Sequence, residues 1–280
     1  MKKLQQIIDF YLHASIHVAL ATMALVYITY YYANINVNCK MIEFVFLSTF
    51  ASYNIIKYSS FVKKNNLFSA YKLSLKIIVI FTILALFLCG ILFVQFKSIT
   101  QLFVLSVGLL TILYALPIRK KSRNLRNFPS IKIYIVSICW AVTTFLIPLL
   151  EENVVLNESL TIQFIQRFIL VFSLILIFDI VDLKYDNANL HTLPQAIGVR
   201  KTKYVIYCLI SLFSFLEVLI TESSIKDYFI NLILSAIVIV FTYFASTKRK
   251  KYYSLFWVEA VPFFWLFIML ILNATLKINS

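Results

Sequence analysis

Apolar residues fall in nine long blocks along the chain, near residues 10–32, 41–61, 74–96, 99–117, 132–150, 162–182, 203–221, 228–245 and 253–275. Each block is close to the roughly 20 residues that a helix needs to cross the hydrocarbon core of a bilayer. The pattern predicts nine transmembrane helices in an all-α, polytopic membrane protein, with residues 1–280 forming one transmembrane domain. The second block is the least regular, because it contains Asn54 and Lys57. The polar stretches between blocks are too short for a soluble domain, and no low-complexity tract interrupts them. The chain opens basic, Met1-Lys2-Lys3, but the apolar stretch that follows is too long for a signal h-region. It also lacks a small-x-small cleavage site, so it reads as a first span that is retained.

Composition agrees with this pattern. The sequence is 61% hydrophobic and 14% charged, where a soluble domain carries about a quarter charged residues. The net charge of +14 is scattered over several short loops, which argues against a nucleic-acid surface. Instead it sets orientation. Of the 26 lysines and arginines, 21 lie at the N-terminus or around the polar stretches after the second, fourth, sixth and eighth blocks. Only Lys40, Lys97, Arg167, Lys226 and Lys277 fall on the other side. The positive-inside bias therefore predicts a plasma (inner) membrane protein with its N-terminus cytoplasmic and its C-terminus outside. The four cysteines include no CxxC pair, so neither a disulfide framework nor a zinc site is expected.

The acids show the opposite bias. Glu43, Glu151, Glu152, Glu158, Glu217, Glu222 and Asp227 belong to the outer half; Asp9, Asp179, Asp182, Asp186 and Glu259 belong to the cytoplasmic half. Three of these last five are concentrated in Asp179-Ile180-Val181-Asp182-Leu183-Lys184-Tyr185-Asp186. The i, i+3, i+7 spacing aligns all three carboxylates on one helix face. Like charges in a row repel unless a cation sits among them. Oxygen-only donors suit Mg²⁺, which binds through one or two carboxylates plus substrate phosphates. The bland alternative is a solvated helix end. Against it, ionisable groups at the hydrocarbon edge mark functional sites by default.

The residues that follow include Thr192-Leu193-Pro194 and Gly198. Asp-x-x-Asp-x-x-x-Asp with this continuation resembles the second aspartate-rich motif of the UbiA superfamily of membrane prenyltransferases. Tyr114-Ala115-Leu116-Pro117-Ile118-Arg119-Lys120 resembles that family's Tyr-x-x-Pro and basic stretch after the fourth helix. By topology the resemblance covers the whole chain; by motif it covers about 30 residues. It implies two four-helix halves closed by a final helix, around a central cavity that opens to the cytoplasm. It also implies a reaction: Mg²⁺-assisted transfer of an isoprenyl group from a polyprenyl diphosphate to a hydrophobic acceptor. Asp179, Asp182 and Asp186 would be the metal ligands and catalytic groups. Diphosphate-binding residues would come from Tyr114, Arg119, Lys120, Arg123, Arg126 and Lys132, although a basic loop is also the ordinary positive-inside anchor.

One departure stands out. The family carries another motif, Asn-Asp-x-x-Asp-x-x-x-Asp, at the end of the second helix. The corresponding segment here is Asn54-Ile55-Ile56-Lys57-Tyr58-Ser59-Ser60-Phe61-Val62. Asn54 matches, and every aspartate is missing. Lys57 either supplies positive charge in place of a metal or snorkels to the headgroups. Two further features have a double reading. Glu259, inside the ninth block, faces a cavity as base or orienting group, or pairs with a neighbouring helix. His13 and His17 stand at i, i+4, a spacing that can ligate a metal, but interhelical packing is the simpler use. Alternatives to transfer are a non-catalytic prenyl-lipid or diphosphate-binding protein, a related isoprenoid cyclase, or a small transporter.

Overall fold

In the computed structural model, residues 2–64, 73–115, 129–186 and 192–277 are described, and every regular element among them is helical. The helices are α1 (Lys2–His13), α2 (Ile16–Tyr32), α3 (Cys39–Lys64), α4 (Leu73–Phe93), α5 (Ser98–Ala115), α6 (Pro129–Ala141), α7 (Ile147–Glu151), α8 (Glu158–Asp182), α9 (Leu193–Val218), α10 (Ile225–Phe244) and α11 (Val261–Lys277). A π-helical turn, Val142–Leu146, joins α6 to α7, and another, Tyr253–Val258, leads into α11.

All nine apolar blocks are helical, but they do not all pass as spans. Six helices are long and apolar enough to cross a membrane, or seven if α1 and α2, bent by 64° at their junction, count as one. The helix over Ser98–Tyr114 is apolar but shorter. α9 is long enough, yet it carries Arg200, Lys201, Lys203 and Glu217. The chain is thus an integral, multi-pass membrane protein.

Consecutive helices pack side by side from α2 through α3 and α4, and from α6 through α8, α9 and α10, and α11 returns to pack on α2. α2 thus packs against both runs of helices. The densest core of the bundle lies between α2, α8, α9, α10 and α11 and includes Leu25, Leu176, Ile206, Leu234 and Trp265. On the outside, Ile80, Ile83 and Phe87 of α4 and Leu102, Leu105 and Leu109 of α5 are exposed. That is the surface a helix presents to lipid rather than to water.

Local chemistry sets the helix ends and breaks. Asn157 caps α8, its Oδ1 accepting from Leu160 N–H at 2.8 Å. α8 is 25 residues long, about 37 Å at 1.5 Å per residue. It therefore outruns a hydrocarbon core of roughly 30 Å, and its last turn reaches the interface. α1 and α2 break at Ser15, which sits at φ 60. Asn54 of α3 ties this break together: it accepts from Ser15 Oγ at 3.0 Å and donates to Ala14 O at 3.1 Å. Gly198, at φ 82, bends the start of α9 in the left-handed region that favours glycine.

Candidate functional site

A cavity of about 530 Å³ opens between α2, α3, α5, α6, α8 and α11. Its charged lining is Lys57, Lys132, Asp179, Asp182 and Glu259, with Tyr114 alongside. Four separate helices bring these groups together, which no short sequence window could reveal. Asp179 and Asp182 come from the last turn of α8, Lys132 from the first turn of α6, and Lys57 from the second half of α3. Deeper in, the wall is apolar and aromatic, with Phe44, Tyr53, Trp140 and Phe178. Trp140 Nε1 donates to Tyr53 Oη at 3.0 Å, so the indole is held in place.

Asp179 is 2% exposed, and its Oδ1 accepts from Lys132 Nζ at 3.1 Å. Among the described residues this is the one ion pair within 4.0 Å. A buried carboxylate needs such a partner, since an unpaired charge removed from water is strongly destabilising. The pair leaves Asp179 Oδ2 buried with no protein hydrogen bond. Asp182 lines the same cavity. Asp186 is not part of that lining: α8 ends at Asp182, and one further turn, with Asp186 N–H bonded to Asp182 O at 3.0 Å, keeps Asp186 near enough to interact electrostatically with Asp179, Asp182 and Lys132.

Among the described residues no three His, Cys, Asp or Glu side chains converge to hold a metal ion. The donor chemistry that remains is two cavity carboxylates with an unpartnered buried oxygen. Such a set fits one Mg²⁺ whose shell is completed by phosphate oxygens and water. It does not fit a site closed by protein ligands alone.

Lys57 lines the cavity and donates to the carbonyl oxygens of Leu12 at 3.3 Å and His13 at 3.0 Å. Tyr58 Oη donates to His13 O as well, at 2.9 Å. These are carbonyls at the end of α1, which have no intrahelical donor, so Lys57 caps α1 with a positive charge at the favourable pole. An ammonium has three donors, and two serve the cap. Asn54 is absent from the lining, its amide being occupied at the α1–α2 break. His13 and His17 straddle that break. His17 bonds to Tyr11 Oη at 2.8 Å and Phe256 O at 3.0 Å and stacks on Phe256. Both its ring nitrogens are occupied. Arg119, Lys120, Arg123 and Arg126 lie outside the described residues.

Two features escape a linear reading. The aromatic wall is one, because nothing distinguishes Trp140 from the other aromatics until the π turn after it is seen. The other is Arg167, which the charge count assigns to the outer loops. The structure buries it inside the bundle, 1% exposed.

Comparison with known proteins rests on structure. No family model and no curated protein matches the sequence. The structure resembles that of a UbiA homolog from Aeropyrum pernix K1, with a TM-score of 0.64, 11% identity, and coverage of 91% of this chain and 98% of that one. It also resembles a digeranylgeranylglyceryl phosphate synthase, with a TM-score of 0.59, 15% identity, and coverage of 97% and 98% respectively. The chain therefore has the UbiA fold over essentially its whole length.

Proposed function

We propose that this protein is a membrane prenyltransferase that moves an isoprenyl group from a polyprenyl diphosphate to a hydrophobic acceptor. The observation that carries the reading is one cavity with carboxylates and ammonium groups in its lining and an aromatic interior. A prenyl diphosphate has the same two-part character. The UbiA fold supports the assignment, and one of the solved structures this chain resembles is of a digeranylgeranylglyceryl phosphate synthase.

In this reading the bundle makes nine crossings, and the cavity faces the cytoplasm. The excess of lysine and arginine on the side of Lys57 and Lys132 supports that orientation. Asp179 and Asp182 would hold Mg²⁺, and Lys132 and Lys57 would offer hydrogen-bond donors to the diphosphate oxygens. The metal, when bound, supplies positive charge against the leaving diphosphate. The allylic C–O bond breaks with its electron pair leaving on the diphosphate. The aromatic wall formed by Tyr53, Trp140 and Phe178 favours the cationic prenyl fragment and keeps water from capturing it. The acceptor forms the new bond and loses a proton, which Glu259, a further carboxylate of the cavity lining, is placed to take.

A second reading is a non-catalytic binder of prenyl diphosphate. The observation behind it is Lys57, which stands where the resemblance calls for acids and spends two of its donors on capping α1. One experiment separates the two. Purified protein is given a long-chain prenyl diphosphate and a membrane-lipid extract as acceptor, with and without Mg²⁺. Transfer predicts Mg²⁺-dependent binding and release of inorganic diphosphate. Mg²⁺-dependent binding without release selects the binder, and no binding under either condition ends both readings.

A further inference from the structure

A second, largely enclosed cavity of about 10 Å³ lies within the helices, lined by none of the residues of the site above, between Arg167, Glu217, Gln163, Asn231 and Trp265. Two opposite charges meet there without touching, since Arg167 and Glu217 form no ion pair within 4.0 Å. Each is tied elsewhere. Arg167 donates to Leu25 O at 3.0 Å and Thr144 Oγ1 at 3.1 Å, and its guanidinium lies 5.1 Å from the Trp265 ring centre. Glu217 accepts from Gln166 Nε2 at 2.9 Å, Asn231 Nδ2 at 3.1 Å and Ser223 Oγ at 2.6 Å.

Four polar atoms of residues lining this cavity have no protein hydrogen bond: Arg167 Nε, Trp265 Nε1, Gln163 Oε1 and Asn231 Oδ1. Arg167 is 1% exposed and Asn231 6%. The first two atoms are donors; the last two are acceptors. We infer that the cavity binds one ordered water molecule, which accepts from Arg167 Nε–H and donates to Gln163 Oε1 and Asn231 Oδ1. That complement of three bonds is typical of a buried water, and the volume suffices for one and no more. The guanidinium N–H repels a cation, and the Glu217 carboxylate repels an anion. The water bridges Arg167 to Asn231, and through Asn231 to Glu217. In this way α8 is joined to α10 and α9 inside the apolar bundle.

Synchrotron hydroxyl-radical footprinting of the protein in lipid nanodiscs tests this directly. A bound water generates radicals in place, so Trp265, 7% exposed, should be oxidised well above Phe50, 8% exposed and outside the cavity, after each rate is divided by the intrinsic reactivity of its free amino acid. Equal, low oxidation of the two overturns the proposal. Gln163→Met removes one acceptor at similar volume and leaves the Glu217 contacts intact. It should reduce Trp265 oxidation by at least about fivefold, as expected for a water left with two of its three bonds. Undiminished oxidation in a folded variant also overturns the proposal. If that variant does not fold, the comparison of Trp265 with Phe50 in the unaltered chain still decides.

Discussion

α8 carries two buried charges, Arg167 and Asp179, twelve residues and about 18 Å apart along one helix, and the two do opposite things. Both are almost fully buried. Arg167 is wrapped by carbonyls, hydroxyls and two aromatic rings beside a space of about 10 Å³. Asp179 is held by one lysine, keeps a free oxygen, and borders a space of about 530 Å³. A charge in an apolar bundle is therefore not by itself a sign of chemistry. What separates a structural charge from a reactive one is unspent hydrogen-bonding capacity next to volume that a substrate can enter.

Substitutions can break that contrast or sharpen it. The largest effect belongs to the sealed charge. Arg167→Met leaves the buried Leu25 O and Thr144 Oγ1 without their charged donor and should destabilise the protein by about 3 kcal/mol, read as a lowered Tm in detergent. Prenyl diphosphate affinity of the surviving folded fraction should be unchanged. A weakened affinity would mean that the two regions are not independent.

Asp182→Ala should do the reverse. Mg²⁺-dependent binding of prenyl diphosphate is expected to fall by about 100-fold, in line with loss of a charge-stabilising group, while Tm moves little. Binding that survives in full, measured by titration with and without Mg²⁺, would remove the metal role from α8. Lys132→Met combines both effects, because Lys132 pairs with Asp179 and faces the cavity. A loss of about tenfold in affinity is expected from one charged hydrogen bond, together with a drop in Tm from the unpaired carboxylate.

Lys57→Met should weaken diphosphate binding by less than about tenfold, since two of the three donors already serve α1. No change at all would return Lys57 to its capping role alone. The smallest effect is Asn54→Ala, which removes two hydrogen bonds at the α1–α2 break and should cost about 1–2 kcal/mol of stability. Its binding constant should match that of the unaltered chain. If binding fails with Asn54→Ala while Tm holds, the break itself shapes the cavity.

How far these features were legible beforehand varies with their cause. The helical blocks and the aspartate cluster could be read directly, because hydropathy and i, i+3 spacing are local properties of the chain; Tyr114 came only from the family resemblance. Asp186 shows what spacing leaves open: it stays near Asp179 and Asp182 one turn past the end of α8, but only the folded chain decides which of the three acids line the cavity. Asn54 matches a family position by residue type, yet its amide is committed to Ser15 and Ala14, forty residues away in sequence. Arg167 was counted with the outer loops because charge statistics treat every arginine as a loop residue.

From the residue order alone came an all-helical membrane protein, its apolar blocks, and a row of acids at one helix end, since these follow from interactions within a turn or two of helix. Only the packing of the helices decided which charges face open space. It brought Lys132 of α6 to Asp179, set Lys57 of α3 on the same cavity, and sealed Arg167 away. Those pairings join residues tens to more than a hundred positions apart, and packing, rather than local pattern, selects them.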